Sequence, residues 1–192
     1  TVPYFGGMGL EQGWIEAHVR AIADETGAQT MLYNVPTILR DVEPATIERL
    51  AGLPNVVGMK DSASIIHLQD VVFRTRATGF RVLAGMEYPL VAALFVGAHG
   101  ATPSPGNLIP DRYVAMYERT LAGDRDGALA LQESTNRFVD VFDTLPAWTA
   151  ALKTALHLMG ICGPTAAAPI PTSTPDEIEL IRAHLAGAGL LA

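Results

Sequence analysis

The segment Asn55-Val56-Val57-Gly58-Met59-Lys60-Asp61-Ser62 is a short apolar run that ends at a charge. A continuous apolar run of this length is typical of a strand buried on both faces of a parallel sheet. Lys60 closes the predicted strand, and it is one of only two lysines in the chain. Burial disfavours the charged form of a lysine, and the neutral amine is a nucleophile that forms an imine with a carbonyl. The segment therefore indicates either a strand-end lysine that reaches water or a reactive amine.

Strand-like runs alternate with amphipathic stretches through roughly the first hundred residues. The predicted strands are Thr30–Val35, Asn55–Lys60, Arg81–Gly85 and His99–Thr102. The predicted helices between them are 12–25, 44–51, 65–78 and 88–96. Each step from one strand end to the next has about the length of one strand plus one crossover helix. This alternation predicts an α/β fold with a parallel sheet, either a (β/α) barrel or a doubly wound sheet.

After Asn107 the pattern becomes helical. We expect helices over 110–122, over 126–142, and from Pro146 to a stop at Gly160. Thr174-Pro175-Asp176-Glu177 has the form of a capping box before a last helix. The apolar stripes of these helices are interpreted as packing faces, among them that of Leu129, Phe138, Val141 and Phe142.

Composition excludes several classes of function. The chain has 192 residues, of which 49% are hydrophobic, enough for a sizeable core. A net charge of −7 without a basic run argues against nucleic-acid and anionic-membrane partners. Cys162 is the sole cysteine, which fits a reducing compartment, and we expect a cytoplasmic protein. The five histidines lack metal-ligand spacing and no Gly-rich phosphate motif occurs, so neither metal nor cofactor is predicted.

Tyr33 and Lys60 occupy matching positions, each at the end of a predicted strand and one repeat apart. In parallel α/β folds the carboxyl ends of the strands assemble the active site. If the strands follow chain order, the two side chains lie on adjacent strands at one face. A phenol beside an amine can pass protons to and from a carbinolamine and an imine. Tyr33 taken alone is better interpreted as a buried tyrosine with a satisfied hydroxyl.

The pair Tyr33-Asn34-Val35-Pro36 and Gly58-Met59-Lys60-Asp61-Ser62 resembles the motifs of the dihydrodipicolinate synthase / N-acetylneuraminate lyase family. Those proteins are pyruvate-dependent class I aldolases and related lyases on a (β/α)8 barrel. The resemblance extends over essentially the whole chain, including Gly97-Ala98-His99-Gly100. It implies an α/β fold, a (β/α)8 TIM barrel of which the chain carries roughly the second half, residues 1–122. A C-terminal three-helix region, residues 123–192, follows.

The resemblance also implies roles for individual residues. Lys60 is similar to the lysine that forms a Schiff base with the C2 carbonyl of pyruvate or another 2-oxo acid. Tyr33 is similar to the tyrosine that shuttles protons. Five further positions match the lining of the substrate pocket in this family: Gly85, Thr102, Ser104, Glu87 and Tyr4.

The chain departs from the family pattern in three places. It has no Thr-Thr pair in a Gly-rich loop, because the first four strands are largely missing, so we expect a truncated product or one that needs a complementing piece. Phe5 stands where the synthase has a second relay tyrosine, and Ile38 stands where it has a carboxylate-binding arginine; the nearest arginine is Arg40. The last two losses favour an aldolase or dehydratase acting on a 2-oxo sugar acid.

The leading hypothesis is therefore a Schiff-base-forming lyase or aldolase acting on pyruvate or a 2-oxo (sugar) acid through Lys60. One alternative is 4-hydroxy-tetrahydrodipicolinate synthase, which condenses pyruvate with aspartate semialdehyde, with Arg40 in place of the missing arginine. The other alternative is a catalytically silent truncated homologue. The resemblance implies a homo-tetramer or homo-dimer.

Overall fold

The computed structural model describes residues 11–191, so the predicted site residue Tyr4 and its neighbour Phe5 lie outside the described part. The chain divides into two compact units, Thr1–Pro103 and Ser104–Ala192. The predicted domain boundary after residue 122 stays a prediction. Over residues 11–191, every helix is too short or too polar to span a membrane.

The first unit is built on a four-stranded parallel sheet with the strand order β1-β2-β3-β4. The strands are β1 Thr30–Asn34, β2 Val56–Asp61, β3 Arg81–Ala84 and β4 Gly100–Ala101. The predicted parallel sheet is confirmed. A doubly wound sheet reverses its order at a switch point, whereas a barrel keeps chain order, so the observed order is that of a barrel.

Four helices of the first unit alternate with these strands, as predicted. They are α1 Gln12–Thr26, α2 Pro44–Leu50, α3 Ile65–Thr75 and α4 Leu90–Phe95. α3 ends three residues earlier than expected, because the amide and hydroxyl of Thr78 both donate to the Thr75 carbonyl and form a turn. α4 begins two residues later than expected, with Pro89 as its N-cap.

β2 is a central strand buried on both faces, as the apolar run predicts. Val56 and Met59 are almost completely buried, and so is Val82 on the neighbouring β3. A Cβ added to Gly58 would lie 2.4 Å from the carbonyl oxygen of Arg81, closer than real contacts allow. Glycine at this position therefore permits the close approach of β3 to β2 just before Lys60.

The second unit begins with a short 3-10 helix, Ser104–Asn107, and contains four longer helices. These are α5 Pro110–Leu121, α6 Arg125–Asp143, α7 Trp148–Leu158 and α8 Pro175–Gly187. The predicted capping box of α8 is confirmed: the Glu177 amide donates to the Thr174 hydroxyl over 3.3 Å, and the Thr174 amide donates to the Glu177 carboxylate over 2.8 Å.

Two details of the helical prediction are wrong. α7 starts at Trp148 rather than near Pro146, because Ala147 has non-helical backbone angles and serves as the N-cap. Leu129 is 42% exposed, whereas Phe138 and Phe142 are buried as expected. The buried residues of α6 lie on one face of the helix, at Ala128 and at positions one, two and more turns beyond it. Leu129 is the next residue after Ala128, so its side chain points away from the core.

Candidate active site

The structure brings Tyr33 and Lys60 together at the carboxyl ends of two adjacent strands. They are direct partners in the parallel register of β1 and β2. The Nζ atom of Lys60 lies 5.0 Å from the centre of the Tyr33 ring, within the range of a cation–π contact. Both residues are half-buried. The amine is therefore neither in bulk solvent nor remote from the phenol.

Strand alternation explains why these two side chains share a face. Successive side chains of a strand point to opposite sides of the sheet. Asn34 and Asp61, which follow Tyr33 and Lys60 directly, are each 1% exposed and point to the other side, where His67 of α3 contacts Asp61. The helix-covered face thus holds the buried polar residues, and the opposite face holds the phenol and the amine.

Gly85, a predicted pocket residue, lies against the lysine side chain. Its amide donates to the Asp61 carbonyl over 2.7 Å and continues the ladder beyond β3. A Cβ added at Gly85 would lie 2.1 Å from Ser62 Oγ, 2.9 Å from Lys60 Cε and 3.0 Å from the Asp61 carbonyl oxygen. Only glycine leaves room for the lysine side chain in its present position.

Gly85→Ala is expected to displace Lys60 Cε and to cost about 1–3 kcal/mol in the free energy of unfolding, because overpacking strains a filled site. The measurement is denaturant unfolding of both proteins. Gly79→Ala is the matched control, since no heavy atom lies within 4 Å of a Cβ at Gly79. Equal stability of the two variants would contradict the crowding around Lys60.

A buried polar network lies directly behind the Tyr33–Lys60 pair. The Asn34 side-chain amide donates to Asp61 Oδ1 over 3.0 Å and to Asp41 Oδ1 over 2.9 Å, and Asn34 Oδ1 accepts from the Val42 amide. His67 Nδ1 lies 2.8 Å from Asp61 Oδ2. These contacts join the ends of β1 and β2 to the loop after β1 and to the first turn of α3.

The charge state of His67 is shifted by this environment. Burial lowers the pKa of His67, but the hydrogen bond and charge of Asp61, the Val42 carbonyl and the charge of Asp41 raise it, and the net pKa is raised. This network was not predicted from the sequence. The signal available was a histidine one turn inside a helix that follows the Lys-Asp pair.

The remaining predicted site residues lie in different parts of the chain. Thr102 follows β4, and its amide donates to the Ala84 carbonyl over 2.9 Å. Glu87 is half-buried in the β3–α4 connection. Ser104 is the first residue of the 3-10 helix in the second unit. Their roles stay predictions.

The loop after β1 carries Ile38 and Arg40, the two residues on which the alternative synthase hypothesis depends. Ile38 is 74% exposed, and Arg40 is exposed as well. Within residues 11–191, no cluster of three or more His, Cys, Asp or Glu side chains is arranged to hold a metal ion.

A model of the dihydrodipicolinate synthetase family matches residues 1–186. The chain belongs to this family. The expectation from the paired motifs is therefore confirmed. A 4-hydroxy-tetrahydrodipicolinate synthase of Neisseria gonorrhoeae is 31% identical over 196 residues, which cover all of this chain and 65% of that protein. Another, from Hyphomonas neptunium, is 31% identical over 193 residues, covering 98% of this chain and 64% of the relative.

Solved structures of the dihydrodipicolinate synthase family share the fold. The enzyme of Bacteroides thetaiotaomicron superimposes with a TM-score of 0.88 at 29% identity, over 96% of this chain and 64% of that one. YagE, a prophage protein of Escherichia coli K12 solved in complex with pyruvate, gives 0.86 at 22% identity, over 96% and 64%. A monomeric dihydrodipicolinate synthase variant gives 0.88 at 25% identity, over 99% and 64%.

These comparisons confirm the fold class. The chain carries roughly the second half of a (β/α)8 barrel of the dihydrodipicolinate synthetase family, with a helical C-terminal region. It spans about 65% of the length of the curated relatives that it matches. Self-association as a homo-dimer or homo-tetramer stays a prediction.

Proposed function

We propose that this chain is a Schiff-base-forming lyase or aldolase that acts on pyruvate or a related 2-oxo acid. The observation that carries the proposal is the placement of Lys60 Nζ 5.0 Å from the Tyr33 ring centre on the adjacent, in-register strand. A nucleophilic amine and a proton-transferring phenol are the two groups that imine chemistry requires.

The proposed first step is attack of the neutral Lys60 amine on the C2 carbonyl of the 2-oxo acid. The new N–C bond breaks the C2=O π bond, and a proton moves from nitrogen to oxygen to give a neutral carbinolamine. Tyr33 then donates its phenol proton to the hydroxyl, which leaves as water, and the products are a protonated imine between Nζ and C2 and the Tyr33 phenolate. The protonated imine withdraws electrons from C3. The phenolate can therefore take a proton from C3 when a C–C bond is to form, or from the substrate hydroxyl when one is to break, and Tyr33 gives this proton back to complete the product.

The relatives support pyruvate as the first substrate to test. Both curated relatives above are 4-hydroxy-tetrahydrodipicolinate synthases, and YagE was solved in complex with pyruvate. Of the substrates that these names indicate, only the 2-oxo acid is proposed for the present chain. The carbonyl partner of the reaction depends on loops around the site.

Borohydride reduction in the presence of pyruvate tests the proposal directly. One covalent three-carbon unit is expected per chain, because borohydride converts the imine into a stable secondary amine. Peptide mass mapping is unambiguous, since Lys60 and Lys153 are the only lysines. The adduct is expected at Lys60. An unmodified mass would contradict the proposal and favour the catalytically silent homologue.

The second candidate is 4-hydroxy-tetrahydrodipicolinate synthase itself. The names of the curated relatives favour it. Ile38, where the synthase is expected to carry an arginine, speaks against it, and Arg40 is the nearest replacement. Condensation of pyruvate with aspartate semialdehyde, compared with cleavage of 2-oxo sugar acids, separates the two candidates.

A further inference from the structure

Both ring nitrogens of His67 face hydrogen-bond acceptors. Nδ1 lies 2.8 Å from Asp61 Oδ2, and Nε2 lies 2.9 Å from the Val42 carbonyl oxygen. Nε2 is also 3.5 Å from Asp41 Oδ1. A carbonyl and a carboxylate accept but do not donate, and both nitrogens carry a proton only in the imidazolium. The geometry therefore fits the charged form of His67.

The Asp61 carboxylate is arranged to match a cation. Its Oδ1 accepts from the Asn34 side-chain amide over 3.0 Å and from the Ala63 amide over 3.1 Å, and its Oδ2 faces His67. The side chain of Asp61 is completely buried, and that of His67 is 10% exposed. A buried carboxylate with three donors around it, one of them a charged histidine, forms a strong, charge-assisted contact.

Two of the charged groups packed around α3 face the ring of His67. They are Asp61 on β2 and Asp41 in the β1–α2 loop. On α2, Glu48 is paired with Arg74 of α3, which also binds Asp70. The segment of α4 contains no titratable residue, and Arg81, at the start of β3, instead affects His99.

The network around His67 includes the two residues that directly follow the proposed reacting residues in the chain. Asn34 follows Tyr33 on β1, Asp61 follows Lys60 on β2, and Asn34 and Asp61 are partners in the strand register. His67 thus fixes Asp61, and Asp61 fixes Asn34, directly behind the amine and the phenol.

We propose that His67 is a positioning residue whose imidazolium, bound to Asp61 and Val42, holds the ends of β1 and β2 so that Lys60 and Tyr33 stay in reactive register. This inference rests on the proposed function. Loss of the His67 proton removes one of the two ring N–H donors and breaks one of the hydrogen bonds to Asp61 and Val42. The position of the Lys60 side chain, and with it the accessibility of its amine to reagents, therefore depends on pH.

Acetic anhydride labelling tests the role of His67 without any substrate. The ratio of Lys60 to Lys153 acylation is measured by peptide mass across the pH range of histidine titration. We expect a step in this ratio for the wild type, at the midpoint found for His67 by NMR. That midpoint is expected above the ordinary histidine value of 6.5. A ratio without a step, or a midpoint at or below 6.5, would overturn the inference.

The variants sharpen this test. His67→Gln keeps one donor and carries no charge, so the pH step in the acylation ratio is expected to disappear. The rate of imine formation with pyruvate is expected to fall about tenfold, because small displacements of reacting groups lower a rate by this factor or more. His18→Gln, on the exposed side of α1, is the matched control and should behave as the wild type. A His67→Gln profile identical to the wild type would contradict a positioning role.

The two proposals fail in distinguishable ways. A wild type that takes up no pyruvate defeats the proposed function, while the labelling step still decides the role of His67. Pyruvate uptake at Lys60 with no labelling step leaves the proposed function standing and overturns the inference about His67. If His67→Gln does not fold, the wild-type NMR midpoint and labelling step are still compared with each other.

Discussion

Lys60→Arg is expected to abolish the reduced pyruvate adduct while the fold is retained. A guanidinium stays protonated in proteins and does not act as a nucleophile toward a carbonyl. Arginine also keeps a long cationic side chain that can stack on the Tyr33 ring, so the contact at 5.0 Å between cation and ring has a substitute. The measurement is the intact mass after treatment with pyruvate and borohydride, together with circular dichroism to establish folding.

Lys153→Arg is the matched control for this experiment. Lys153 lies on α7, and its Nζ is 3.9 Å from the sulfur of Cys162. It belongs to the second unit and has no tyrosine partner among the contacts that the structure gives it. The full three-carbon adduct is expected to remain in this variant. Loss of the adduct in Lys153→Arg, or its survival in Lys60→Arg, would contradict imine formation at Lys60.

Asp61→Ala is expected to lower the free energy of unfolding by about 3–5 kcal/mol, because removing one partner of a buried ion pair strands the other. The change leaves the His67 ring, the Ala63 amide and part of the Asn34 amide without their acceptor. Denaturant unfolding at pH 6 measures this loss. Asp70→Ala is the matched control: its carboxylate pairs with Arg74 at 47% side-chain exposure, so a change within about 0.5 kcal/mol is expected.

The effect of Asp61→Ala has a pH dependence whose sign follows from His67. The pKa of His67 is raised in the folded state. The charged His67 therefore makes its full contribution to stability below pH 6.5, and this contribution is lost as the pH rises through the pKa that His67 has in the folded protein. The stability difference between wild type and Asp61→Ala is therefore expected to narrow as the pH increases through that window. A difference that widens with pH would contradict the charged pair.

The sequence predicted the neighbourhood of Tyr33 and Lys60 because it depends on local regularities. Apolar runs of strand length and crossover stretches of helix length identified the repeating unit, and equivalent positions in successive units meet at one edge of a parallel sheet. Sequential strand order then made Tyr33 and Lys60 direct partners. No long-range information beyond the repeat was needed for this part.

The His67 contacts could not be predicted in the same way. The Val42 carbonyl lies 25 residues before His67, and the two meet only because the loop after β1 and the first turn of α3 cover the same end of the sheet. The predicted strand Asn55–Lys60 does not include Asp61, because its apolar run stops at a charge. The structure includes Asp61 in β2, since its oxygens are satisfied by Asn34, Ala63 and His67.

The central place of β2 in the sheet determines how Lys60 can move. Its main chain is paired with Tyr33 on one side and with Leu83 on the other. A shift of the lysine backbone would have to break two ladders of hydrogen bonds at once. The Lys60 amine has to change position as it passes from the free form to the carbinolamine and the imine. This movement must then come from rotation about the bonds of the four methylene groups in its side chain.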